Sequence, residues 1–216
     1  MDPSSFLAVW AGGVAAGTGR VASWRIVGPG YTWLSAGVAL LLGVPAALGE
    51  GAAWAGCALV LAAGLLARRP NASTIASVGA AVVFVVTAAV AGSPVLAVTG
   101  SVFLGGVTTE MMLGHWYLVD PRLPRSALSA LAVVGVVGAV ADGVSAAALG
   151  AVPWVSADAV MGWAFLVLSA TTALLMLAVW FALKERGYAA VMAATGLSYL
   201  ALLTAIGAAA LGRALA

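Results

Sequence analysis

Charge is scarce in this chain. Only 7% of its 216 residues are Asp, Glu, Lys or Arg, while 64% are hydrophobic and the mean hydropathy is +1.14. A soluble domain carries about 25% charged residues, so this chain cannot cover a water-facing surface with polar groups. Its outer face requires lipid as solvent. The polar faces of a soluble helical bundle are missing from most segments, and the strict alternation of a membrane β-strand is missing throughout. The formal charge is +2, but no basic run is interleaved with aromatics, so nucleic acid is not an expected partner.

Cysteine and histidine are just as rare. Cys57 is the single cysteine, which excludes an internal disulfide and any cysteine-based zinc site. His115 is the single histidine. The chain has no HExxH, GxSxG, Walker or strand-linked GxGxxG motif, and no CxxCH for covalent haem. It also lacks a soluble segment large enough for a separate catalytic unit. The first residues, "MDPSSFLAVW", carry no basic n-region of the kind a signal peptide needs, so the first helix is expected to be retained.

What the chain has is long apolar runs with regular punctuation. A spanning helix needs about 20 apolar residues. Cutting at charged and Pro/Gly breaks predicts eight transmembrane helices, at 5–27, 31–49, 51–67, 73–91, 95–119, 125–149, 157–183 and 187–212. The expected fold is all-α, a polytopic membrane helix bundle forming one integral membrane domain over 1–216. Arg20 and Arg25, Arg68 and Arg69, Arg122 and Arg125, and Lys184 and Arg186 fall at alternate connections. By the positive-inside rule those connections face the cytoplasm and both termini face outward, as expected in a bacterial-type plasma membrane. Arg213 alone falls on the other side, at the extreme end of the chain.

An internal match divides the chain. "SWRIVGPGYTWLSAGVALLLG" (23–43) resembles "HWYLVDPRLPRSALSALAVVG" (115–135) in a Trp, a Val-x-Pro and a following apolar helix. Trp24 aligns with Trp116, Val27 with Val119, Pro29 with Pro121, and Glu50 with Asp142, all at one offset. The pattern predicts two parallel four-helix repeats, in halves 1–92 and 93–216. The layout is similar to that of haem-A-synthase-like membrane proteins. Those rely on paired histidines, and a chain with one departs from them.

The stretch "TTEMMLGHWYLVDPRLPRS" (108–126) gathers the candidate site residues. Counting ~1.5 Å per residue, Glu110 lies roughly 13 Å inside the cytoplasmic end of its helix and His115 about 6 Å inside. An unpaired charge near mid-membrane costs about 2.5–3.5 kcal/mol on insertion scales. Glu110 should therefore face protein, be paired or carry a proton, and Arg20 at similar depth is its expected partner. Glu110 and His115 point about 140° apart on one helix, so they are not expected to share one ligand atom. His115, Trp116 and Tyr117 form an aromatic cluster that reads first as an interfacial belt. Its functional reading is a pocket for a flat, partly polar ligand, with His115, Tyr117 and Arg25 as polar contacts. Met111 and Met112 lie on the face of His115, where a copper- or haem-binding set is a weaker alternative to plain packing. Asp142 is expected at the outer interface, becoming an intramembrane acid if its helix runs on to Leu149. The hydroxyls of "SATT" (169–172), Thr195, Ser198 and Tyr199 are expected to bond within or across helices.

Three function classes are consistent with these residues. One is a membrane protein with a small-ligand or redox-cofactor pocket, of quinone or haem type, toward the cytoplasmic side, built on Glu110, His115, Trp116, Tyr117, Arg20 and Arg25. The second is a small transporter or channel working through Glu110 and Arg20. The third is an accessory subunit that packs against a partner membrane protein or a second copy of itself. Beyond lipid, a small hydrophobic ligand is the expected partner.

Overall fold

The structure, a computed structural model, describes residues 2–155 and 158–216. The described residues form eight α-helices and no strand. They are α1 (Pro3–Trp24), α2 (Pro29–Gly49), α3 (Ala53–Leu65), α4 (Pro70–Ala91), α5 (Pro94–Val119), α6 (Arg125–Ala148), α7 (Ala159–Ala182) and α8 (Tyr188–Leu215). The expected start of the seventh helix, at 157, lies outside the described residues.

Local chemistry sets the helix starts. Pro3, Pro29, Pro70 and Pro94 each open a helix, where a missing N–H costs nothing and φ is already helical. Asp2 caps α1 by accepting from the Ser4 N–H at 3.0 Å. Asp158 caps α7 by accepting from the N–H groups of Val160 and Met161 at 3.0 and 3.1 Å.

Six of the eight helices are long and apolar enough to cross a membrane: α2, α4, α5, α6, α7 and α8. The other two fall short of the eight spans expected. α3 has 13 residues and extends only ~20 Å, against about 30 Å of hydrocarbon. Its expected ends, Gly51–Ala52 and Leu66–Ala67, are turns. α1 is long enough at 22 residues but less apolar. It carries Arg20 with several hydroxyl side chains, and most of its length is buried. The other helices turn large apolar side chains outward, including Leu48, Ile75, Val90 and Val160, each more than 70% exposed. This is the surface of an integral membrane protein in contact with lipid.

The chain forms two compact units, residues 1–101 and 102–216. The boundary falls inside α5 rather than at 92/93, where the sequence match predicts a division of the chain. In the first unit α1 packs on α2 and α4, and α3 packs on α2 and α4. Phe84 of α4 is fully buried at the centre. Gly43 of α2 and Gly56 of α3 make its space, because a Cβ on either would come within 2.6 and 2.9 Å of the ring. Arg25 donates to Asn71 at 3.0 Å, which joins the start of α4 to the end of α1. The two basic connections of this unit thus lie at one end.

In the second unit α7 packs on α6 and α8, and α6 also touches α8. α5 approaches α6 closely: a Cβ on Gly138 would lie 2.6 Å from the Phe103 backbone. The Arg125 guanidinium donates to the carbonyls of Glu185 and Gly187, both at 2.7 Å. The basic connections of the second unit therefore also lie together. Between Asp120 and Arg122, at this end, the Arg122 side chain and N–H donate to the carboxylate at 2.9 and 3.2 Å. Those bonds hold the Asp120 carboxyl below the usual carboxylate range.

Candidate functional site

α5 carries Glu110 into the interior of the second unit. Its side chain is 1% exposed. It lies nine positions before Val119, the last residue of α5, which places it ~13 Å from the helix end. Ser198 of α8 sits against the carboxyl, but its hydroxyl donates to the Thr195 carbonyl at 2.9 Å. Neither carboxyl oxygen of Glu110 has a hydrogen-bond partner among the described residues. The Thr109 hydroxyl beside it is buried in the same condition, whereas Thr108 turns back to the Leu104 carbonyl at 2.6 Å. An acid in this setting can take up a proton, or hold a small cation if other oxygens complete the shell.

Arg20, its expected partner, belongs to the first unit. There it is exposed and its guanidinium lies 4.9 Å from the centroid of the Trp24 ring. This is the snorkelling geometry of a long cation at a helix end.

His115 lies one turn from the end of α5 and is exposed. Its Nδ1 and the Tyr199 hydroxyl of α8 are 3.2 Å apart, and the rings meet edge to face with centroids at 6.4 Å. Tyr117 is buried, and two residues along a helix is a rotation of ~200°. His115 and Tyr117 therefore face opposite sides of α5, and the polar neighbour of His115 is Tyr199 instead. Trp116 is half-buried between them. Arg25, in the first unit, is engaged with Asn71 and ends α1 in a left-handed conformation at φ 56°. Met111 is half-buried and Met112 buried. No cluster of three His, Cys, Asp or Glu side chains with metal-binding geometry occurs among the described residues.

A second charged site is one the sequence pattern does not reveal. Asp142 of α6 and Arg213 of α8 form an ion pair with both side chains 2% exposed. Nη1 donates to Oδ2 and Nη2 to Oδ1, both at 3.0 Å, and Nη1 also donates to the Ala209 carbonyl at 3.0 Å. α6 runs on to Ala148, so Asp142 lies inside the helix and not in an interfacial turn. Arg213 is a residue of α8 and not a terminal straggler. Glu50, which aligns with Asp142, ends α2 and accepts from the Ser5 hydroxyl at 3.5 Å.

Thr195 and Thr172 bond within or across helices, as expected of membrane-helix hydroxyls. Thr195 donates to the Val191 carbonyl at 2.9 Å. Thr172 bonds the Leu168 carbonyl and, across α7 and α8, Thr204, both at 2.8 Å.

No protein-family model matches the chain, and no curated protein or solved structure shows significant similarity to it.

Proposed function

We propose that the protein is a small transporter or channel of the plasma membrane that moves protons or a small cation, with Glu110 as the group that takes up and releases the charge. One observation carries the reading: a carboxyl 1% exposed at mid-helix depth with no hydrogen-bond partner among the described residues. Such a group is expensive to place in a bilayer. A scaffold has no need of it, since glutamine or leucine would serve better. On this reading the basic connections face the cytoplasm and both termini face outward.

The test is reconstitution of the purified chain in liposomes containing a pH-sensitive dye. Under an imposed membrane potential, or on addition of Na⁺ or K⁺ against a pH gradient, the internal pH should change. Glu110→Gln should abolish the change and Glu110→Asp should retain part of it. Wild-type liposomes that behave like protein-free ones would sink the proposal and favour an accessory subunit that acts only with a partner.

A quinone-type pocket is the second reading, favoured by the exposed His115–Tyr199 pair. A hydrogen-bonding imidazole beside an aromatic wall at interfacial depth suits a flat headgroup. The visible spectrum of the purified protein tests it. Extractable quinone, reduced by His115→Ala, would support the pocket. A Soret band would instead point to haem on the one imidazole, with a second axial ligand from another chain. A colourless, quinone-free sample would count against both cofactors.

A further inference from the structure

The core of the first unit contains a cavity of about 10 Å³. Its apolar walls are Ala15 of α1, Ala36 and Ala39 of α2, and Val60 and Ala63 of α3. Among the described residues two polar side chains reach it, Thr18 of α1 and Ser77 of α4, and both are buried. Buried hydroxyls on membrane helices ordinarily turn back to a backbone carbonyl. Thr18 does so, donating to Val14 at 2.8 Å, and Ser73 donates to Ala63 at 2.9 Å. Ser77 does not: its hydroxyl has no hydrogen-bond partner among the described residues.

We infer that this cavity is a binding site for one water molecule, bridging α1 and α4 through Thr18 and Ser77. The volume is at the lower limit for a single water, roughly 10–15 Å³. The polarity is also right. Thr18 spends its proton on Val14, so its oxygen offers lone pairs to a water proton. Ser77 has its own proton to give to the water oxygen. A cation does not fit, because no carboxylate lines the cavity and two hydroxyls with apolar walls cannot replace a hydration shell. The helices are fixed at the right spacing. A Cβ on Gly19 would lie 3.2 Å from the Ser77 Cβ, and the Thr74 hydroxyl donates to the Gly19 carbonyl at 3.3 Å. In the sequence match, Trp24 pairs with Trp116, an offset of 92 (116 − 24), and the same offset pairs Thr18 with Glu110. Thr18, which holds the water in the first unit, is thus the residue that the match aligns with the buried acid of the second.

Ser77→Ala keeps the Cβ that packs near Gly19 and removes only the hydroxyl. Thermal unfolding of the full chain in detergent should show Ser77→Ala and Thr18→Val each lowering Tm by about 2–4 °C. The double variant should be no worse than the more harmful single, because the water is lost with the first. A Ser77→Ala Tm equal to or above wild type, or strictly additive losses, would overturn the site. A map of the unaltered protein at a resolution that shows ordered waters decides the matter without any variant. It should contain a peak within hydrogen-bonding distance of both Ser77 Oγ and Thr18 Oγ1, and a flat map beside a well-ordered Ser77 would overturn the inference.

Discussion

Arg213 meets Asp142 end-on, with its two terminal guanidinium nitrogens each 3.0 Å from a separate carboxylate oxygen and both side chains 2% exposed. The pair joins α6 to α8 at the end of the second unit away from the basic connections. A buried pair of this geometry resists the loss of one partner far more than the loss of both, since a single charge left behind has nothing to balance it. Asp142→Asn or Arg213→Gln should each destabilise the protein by ~3–5 kcal/mol, read as unfolding in detergent. Asp142→Leu with Arg213→Met should recover most of that loss. Equal damage from the double variant would show that the charges act elsewhere.

Glu110 should react with a hydrophobic carbodiimide from within the detergent or lipid phase. A carboxyl group that carries a proton and is reachable from apolar surroundings adds across the reagent, its proton going to nitrogen and its oxygen to the central carbon. Mass mapping should place the adduct on Glu110, and Glu110→Gln should remove it. Asp142, held by Arg213, should stay unmodified. Label on Asp142 with none on Glu110 would reverse the assigned roles of the two acids.

The His115–Tyr199 contact is a single hydrogen bond with an edge-to-face ring contact. Tyr199→Phe should cost about 1 kcal/mol. In a double-mutant cycle with His115→Ala the two losses should couple by ~0.5 kcal/mol or more. Additive losses would mean that the rings are merely neighbours. Tyr117→Phe, on the opposite side of α5, should show no coupling to His115.

Phe84 and its glycine cradle predict a size-dependent response in the first unit. Gly43→Ala should destabilise by about 1–3 kcal/mol through overpacking against the ring. Phe84→Leu alone should also destabilise, by opening space. Together the two should do less harm than their sum, because the added methyl enters the space the ring gives up. Circular dichroism melts of the three variants check this.

Asp120 behaves differently from the buried acids. Its carboxyl lies below the usual range because Arg122 donates to it, so the contact is present above the ordinary carboxylate range and is lost as pH falls through the depressed value. Arg122 is exposed and Asp120 half-exposed, so the pair is screened by water and salt. Asp120→Asn should therefore leave the melting temperature at neutral pH nearly unchanged. A large drop would show that the 120–124 turn is held more tightly than its exposure implies.

Much of this molecule can be read along the chain because lipid imposes one-dimensional rules. Low charge, long apolar runs and prolines at the starts of α1, α2, α4 and α5 announce a membrane bundle and half of its helix starts. The alternate basic connections are paired in space within each unit, as Arg25 with Asn71 and Arg125 with the carbonyls of 185 and 187 record. The length of α3 could not be read this way. Its flanking Gly51–Ala52 and Leu66–Ala67 are as apolar as the helix, and in such a segment composition does not distinguish a turn from a further helical residue.

Sequence by itself determined the solvent, the helical class and the presence of an acid deep in one helix, because each follows from transfer energies counted along the chain. Only tertiary structure decided the partners. Asp142 finds Arg213 at a separation of 71 residues, His115 finds Tyr199 at 84, and Glu110 finds Ser198 but no hydrogen bond among the described residues. Helical periodicity says which way a side chain points on its own helix. Which helix lies opposite, and at what height, is set by how small residues such as Gly106, Gly114 and Gly138 let α5 approach α6 and α8.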